Sequence, residues 1–297
     1  MALFFKLLHL PIWGWVWVGV SESIIDSSRV SPYIIISLFF ASLLLESMLN
    51  SQRIIHVLML LAGLQLPFMQ VQAEEIRIAA ASNFTECIKA LAEEFQVETG
   101  HQVLLSFGST GKHYAQIKNG APFDAYFAAD SKRPKLLEET GTAVSGSRFT
   151  YARGKLVLWS PKPGYIDKQG ELLSQRKFRY LAIANPKLAP YGKAAMEVLQ
   201  SQGQWNKLQG QMVRGENIGQ TFHFVTSANA ELGFIAYSQL KRPGKNIGGS
   251  FWLVPESLYT PIEQQAVLLT DNHAARAFMA YVRSNEAIQM IREYGYG

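Results

Sequence analysis

From Ile76 onward the chain alternates short β-branched apolar runs with helical repeats, and small hydroxyl, amide or glycine residues stand at several strand-to-helix junctions. Ile76–Ala81 reads as a strand. Phe84, Ile88, Leu91, Ala92 and Phe95 then recur at helical spacing, with Asn83 and Glu86 as an N-cap and its partner and Gly100 as the stop. Val103–Phe107 reads as a second strand, Tyr114–Lys118 as part of a short helix ending near Gly120, and Asp124–Ala129 as a third strand. A β-α-β-α-β succession of this kind builds a parallel sheet with helices over its faces.

A second such unit follows. Leu156–Trp159 reads as a strand, and a polar loop rich in Gly, Pro and Lys comes next. Leu181–Ala184, Met212–Arg214 and Leu232–Tyr237 read as further strands, with helices at Ala194–Leu199 and Gln220–Ala228 between them. The tail turns helical at Ala274–Arg283 and Glu286–Tyr294, and these helices are expected to return to the first lobe. The predicted class is therefore α/β, with two lobes of roughly 100 residues each. Residues 74–155 and 256–297 are assigned to lobe I, and 156–255 to lobe II. No internal repeat or low-complexity tract interrupts this pattern.

The first 73 residues read differently. Met48 opens a secretory signal over 48–73, in which Arg53 supplies the positive charge, Val57–Met69 the apolar stretch and Val71-Gln72-Ala73 the small-x-small cleavage site. Such a leader predicts export to the periplasm, with cleavage near Ala73. Residues 1–47 hold two apolar stretches, Leu3–Val20 and Tyr33–Leu45. Lys6, His9 and Pro11 break the first, and the second is shorter than the roughly 18 residues of a spanning helix. They read as an over-long gene start ahead of Met48, a pair of membrane segments being the alternative. The whole chain carries a net charge of +5. Residues 1–73 hold equal numbers of basic and acidic side chains, so the exported part keeps that charge. The balance can help attract an anion, but no dense Lys/Arg block points to nucleic acid. Cys87 is the single cysteine, so no intramolecular disulfide is available, and on its apolar helix face it reads as core packing.

Four junctions carry the chemistry: Ser82-Asn83, Ser109-Thr110-Gly111, Pro190-Tyr191-Gly192 and Asn217-Ile218-Gly219. In open α/β sheets ligands sit beyond the carboxyl ends of the strands, where helices begin. Helix N-termini there present unpaired N–H groups and partial positive charge, which suits an anion. Two junctions belong to each unit, so facing lobes would enclose one guest. A fully deprotonated tetrahedral oxyanion is an acceptor only and needs donors on every side. The Ser82 and Thr110 hydroxyls and the N–H groups near Ser82, Thr110, Tyr191 and Ile218 meet that need. Only Glu216 brings a carboxylate near a junction.

Other readings of these residues are blander. Ser82-Asn83 alone could be a helix cap, and Pro190-Tyr191-Gly192 an ordinary turn. Gly108-Ser109-Thr110-Gly111-Lys112 lacks the G-x-x-x-x-G-K-[ST] spacing of a nucleotide-phosphate loop. A hydrolase using Ser82 or Ser109 would need a nucleophile elbow that is absent, and His101, His113, His223 and His273 lack metal-ligand spacing. No enzyme, metal or cofactor is expected.

The segments Ala79-Ala80-Ala81-Ser82-Asn83, Ser106–Gly111, Gly120–Asp124 with Ala128-Ala129-Asp130, Ala184-Asn185-Pro186, and Asn217–Gln220 with Glu231–Phe234 occur in an order that resembles the molybdate-binding members of the periplasmic binding-protein class, over nearly all of 74–297. The resemblance implies a two-lobed type II fold that closes over molybdate or tungstate, a monomer that delivers its ligand to a membrane ABC permease, and no catalysis. It implies Ser82, Thr110, Tyr191 and Ile218 as oxyanion ligands. Asn83 matches a ligand in one branch of the family, and Ser109 lies beside the first-lobe hydroxyl position. Another branch uses a tyrosine hydroxyl late in the second lobe; its counterpart here is Ala236, with Tyr237 next to it. Sulfate or phosphate is the competing oxyanion.

Overall fold

Two five-stranded sheets carry the described part of the chain, which comprises Ser37 and residues 73–297 of a computed structural model. The expectations for residues 1–47 and for the export signal at 48–73 fall, but for Ser37 and Ala73, outside the described residues. The first sheet contains β1 (Glu75–Ala81), β2 (Gln102–Gly108), β3 (Ala125–Ala128), β4 (Phe149–Gly154) and β10 (Ile262–Leu268), in the order β2-β1-β3-β10-β4. The second contains β5 (Leu156–Ser160), β6 (Leu181–Ala184), β7 (Met212–Gly215), β8 (Leu232–Ala236) and β9 (Ser250–Leu253), in the order β7-β6-β8-β5-β9.

The central strands pair in parallel, β1 with β2 and β3, and β6 with β7 and β8. Helices cover both faces, so these strands bury residues without alternation: Ile78 through Ala81, and all of β6, are almost fully enclosed. The sheets are mixed, however. β10 runs antiparallel to β3 and β4, and β5 antiparallel to β8 and β9. Strands β4, β9 and β10 and the helix α3 (Lys132–Glu139) were not anticipated from the sequence. Their residues mix polar and apolar side chains, as in Phe149–Gly154, and hide the strand period.

The chain passes from one sheet to the other twice, once between Gly154 and Leu156, and again between β9 and β10. After β10, helices α8 (His273–Tyr281) and α9 (Asn285–Glu293) pack on the first sheet, where Phe278 and Ile291 join Ile76, Ile88 and Phe95 in one core. Leu158, Ile183, Leu199 and Phe234 centre the core of the second sheet. Cys87 is buried in the first core, and burial pushes its thiol well above the usual range.

Helix starts follow from local sequence at three of the four junctions. Ser109 caps α2 (Thr110–Lys118), its Oγ accepting from Lys112 N at 3.3 Å. Asn217 caps α6 (Ile218–Thr226), its Oδ1 accepting from Gln220 N at 2.9 Å. Pro190 opens α5 (Pro190–Ser201), where a missing N–H costs no intrahelical bond. Gly192 in the first turn lies so close to the end of β6 that a Cβ there would sit 2.2 Å from Ala184 O. The first junction differs from its expectation. Ser82–Phe84 forms a 3-10 turn, α1 (Thr85–Thr99) starts at Thr85, and Asn83 makes no capping bond. Its amide is drawn inward to buried partners instead.

Candidate functional site

The carboxyl ends of β1, β2, β6 and β7 meet around a small cavity of about 10 Å³. Ser82, Asn83, Ser109, Thr110, Tyr191 and Ile218, the six residues named from the sequence, all line it. Ala81, Gly108, Ala129, Ala189 and Pro190 complete the wall, so no charged side chain is present in it.

The hydroxyls of the first half are oriented by backbone donors. Thr110 Oγ1 accepts from Ala129 N at 3.1 Å, and Ser109 Oγ accepts its capping bond. Each hydroxyl therefore keeps its own proton to donate. Both residues are almost fully buried, at 1% and 2% exposure, so a guest would meet them without competing water. In the second half the donors are backbone groups. Tyr191 and Ile218 lie in the first turns of α5 and α6, where N–H groups have no intrahelical acceptor.

The two halves already touch. Ser82 Oγ donates to Asn217 Oδ1 at 3.2 Å and accepts from Gly219 N at 3.1 Å. Gly111 N donates to Leu188 O at 2.8 Å, and Arg133 Nη2 to Lys187 O at 3.2 Å. A water needs roughly 10–15 Å³ of such space. A tetrahedral oxyanion is larger, so admitting it requires the Ser82 contacts to part and re-form around the guest.

Beside this cavity, and sharing Ala129, Ala189 and Pro190 with it, lies a cleft of about 590 Å³. Lys132, Arg133, Lys187 and Lys193 line the cleft, but so do Asp130, Glu197 and Glu263. Its carboxylates suit an acceptor-only guest less well than the uncharged wall of the smaller cavity. Asp130 pairs with Arg133, and Asp124 accepts from Arg77 N, Thr270 Oγ1 and Asn272 Nδ2, away from the small cavity. Lys112 pairs with Glu216 at 3.5 Å across the halves and Lys193 with Glu197 at 3.2 Å. The first of these pairs is exposed at both ends and contributes little to stability. Tyr237 packs against Phe251, and it does not line the cavity.

A buried polar layer behind the cavity escaped sequence reasoning. Gln264, fully enclosed on β10, accepts from Asn83 Nδ2 at 2.7 Å and from Tyr151 Oη at 2.9 Å, and donates to Tyr191 Oη at 3.1 Å. Tyr296 Oη and Ser238 Oγ both donate to the Asn83 carbonyl, at 2.8 and 3.0 Å. Gly154 lets Tyr191 through, since a Cβ there would sit 2.2 Å from the phenol oxygen. Burial raises the pKa of Tyr151, Tyr191 and Tyr296 far above the ordinary tyrosine value, so these phenols stay neutral. Gln264 and Gln265 are both buried because β10 is an interior strand of a sheet covered by helices on both faces. A strand covered on one face only would have exposed one of the two, and no short-range signal shows that β10 is covered on both.

Comparison with known proteins gives this geometry a lineage. Residues 76–297 match the family model described as bacterial extracellular solute-binding protein. The molybdate-binding protein ModA of Azotobacter vinelandii is 52% identical over 229 residues, covering 76% of this chain and 91% of that protein. ModA of Rhodobacter capsulatus is 46% identical over 242 residues, covering 80% and 93%. The solved periplasmic molybdate-binding protein of Azotobacter vinelandii superposes with a TM-score of 0.73 at 42% identity, covering 75% of this chain and 98% of that one. The chain therefore belongs to the bacterial extracellular solute-binding proteins, within the group that includes the ModA proteins.

Proposed function

We propose that the protein is a periplasmic receptor that captures molybdate between its two lobes and hands it to a membrane ABC permease. The observation that carries this reading is the small cavity itself, walled by hydroxyl, amide and helix N-terminal donors from both sheets and by no charged group. Ser82, Asn83, Ser109 and Thr110 would supply side-chain and backbone donors from lobe I (74–155 and 256–297). Tyr191 and Ile218 would supply backbone N–H groups from lobe II (156–255). Molybdate and tungstate are fully deprotonated at neutral pH and fit a wall of donors. Hydrogen phosphate carries a proton that needs an acceptor, and sulfate is smaller.

The likeness to ModA proteins at 52% and 46% identity supports the ligand, the permease partner and the periplasmic location. A leader over 48–73 would be removed on export. The receptor acts as a monomer, engages no nucleic acid and catalyses no reaction.

Calorimetric titration with molybdate, tungstate, sulfate and phosphate tests this reading. Molybdate and tungstate should bind at sub-micromolar concentration, and the other two at least about a hundredfold more weakly. Sulfate binding as tight as molybdate would reject the assignment. In the Ser82→Ala/Thr110→Ala double variant two donor bonds to a charged group are lost, at about 1.5–3 kcal/mol each. Molybdate should then bind at least about a hundredfold more weakly while the fold persists, and an unchanged affinity would remove these residues from the site.

A further inference from the structure

Behind the cavity, one hydrogen-bond circuit is left unmatched at both ends. Asn83 Nδ2 donates to Gln264 Oε1 at 2.7 Å and to Tyr296 Oη at 3.1 Å, which leaves Asn83 Oδ1 buried without a partner. At the far end, Gln264 Nε2 donates to Tyr191 Oη at 3.1 Å, and the proton of Tyr191 has no acceptor among the described residues. A buried polar atom left unpaired is costly. Asn83 Oδ1 is such an atom, and it and the undonated Tyr191 proton belong to two residues that line the cavity, which marks the circuit as incomplete without a guest.

Rotating both terminal amides by half a turn exchanges their oxygen and nitrogen positions and reverses the circuit. Gln264 Nε2 then donates to Asn83 Oδ1 and to Tyr151 Oη. Tyr151 turns its proton to Ala128 O, 3.2 Å away, and Tyr191 Oη donates to Gln264 Oε1. Tyr296 keeps its bond to the Asn83 carbonyl and loses the one it accepted from Asn83 Nδ2. Asn83 Oδ1 and the Tyr191 proton are then paired, and the group left without a partner is Asn83 Nδ2, a donor for an anion.

We propose that Gln264 is the positioning residue that sets the direction of this circuit, turning with Asn83 so that the Asn83 amide donates to the anion while Tyr191 of the opposite lobe, already bonded to Gln264, changes from acceptor to donor. The proposal rests on the anion-receptor reading above. Gln264 touches no guest; it acts through Asn83 on one side and Tyr191 on the other. Binding and lobe contact are thereby joined through one buried side chain.

The test is a double-mutant cycle read by molybdate calorimetry on wild type, Asn83→Ala, Gln264→Met and the double variant. Methionine keeps the length of Gln264 and removes both amide functions. Gln264→Met should weaken molybdate about tenfold, equivalent to about 1.4 kcal/mol, and the double variant should bind no worse than Asn83→Ala within about twofold. Losses that multiply, or an unchanged affinity in Gln264→Met, overturn the proposal. A second measurement needs no variant of Gln264. In ¹⁵N-labelled wild type, the side-chain NH₂ signals of Asn83 and Gln264 should both move when molybdate is added, and movement of one alone, or of neither, overturns it. Wild type that fails to bind molybdate rejects the receptor reading and this inference with it. Tight wild-type binding with multiplying losses rejects only the role of Gln264.

Discussion

His113 shows how much one buried side chain carries. It lies on α2 at 2% exposure, its Nδ1 3.0 Å from Gln116 Oε1 and its ring edge-on to Phe123. Burial holds its pKa below the ordinary histidine value, the Gln116 contact opposing that shift. Unfolded histidine titrates near 6.5, so the native state resists a proton that the unfolded chain accepts. The stability it contributes is complete above about pH 6.5 and is lost as pH falls below that, by at most about 1.4 kcal/mol per pH unit. Denaturant midpoints of wild type and His113→Leu should therefore diverge in slope between about pH 6.5 and 5, with the variant flatter; parallel curves would show that His113 is not responsible. Residue identity at the cavity was legible: hydroxyls and small residues at strand ends announce donors. The inward turn of Asn83 was not, because its partners Gln264 and Tyr296 lie 181 and 213 residues away.

At the scale of elements, α5 is pressed against the end of β6, and its first turn brings Tyr191 to the cavity wall. Gly192 permits that approach. In an exposed helix Gly→Ala stabilises by about 0.5–1 kcal/mol. Here the sign should reverse, because the added Cβ would meet backbone at Ala184 and force the helix outward. Gly192→Ala should cost about 1–3 kcal/mol in denaturant unfolding and should weaken molybdate as well. A stabilised variant with full affinity would show that the close approach is unimportant. The parallel core of each sheet was legible from its continuous apolar runs, as in Leu181–Ala184. The antiparallel strands β4, β9 and β10 were not, because polar residues such as Gln264 and Gln265 interrupt the apolar run of β10 although both are buried.

For the whole molecule, the contacts between the two halves include the Ser82 bonds and Gly111 N to Leu188 O. Both sets lie around the cavity, so on the proposed reading an anion bound there would add bonds to both lobes of the folded form and none to the unfolded chain. Free molybdate at about 100 times its Kd should add about 2.7 kcal/mol. For a domain of this size that raises Tm by about 5–11 °C, readable by differential scanning calorimetry. A Tm unmoved by saturating molybdate would contradict capture by the folded state.

The amino-acid order by itself determined the α/β class, the strand-to-helix junctions and the residue types at the cavity, since these follow from local period, capping and turn chemistry. Only the tertiary structure decided which strands cross between the sheets, that Gln264 lies behind Asn83, and that Tyr191 reaches over Gly154 to meet it. Local preferences act over a few residues, whereas the polar layer is assembled from β4, α5, β10 and the C-terminal tail. Its members become neighbours only once sheet pairing and core packing have brought those elements together.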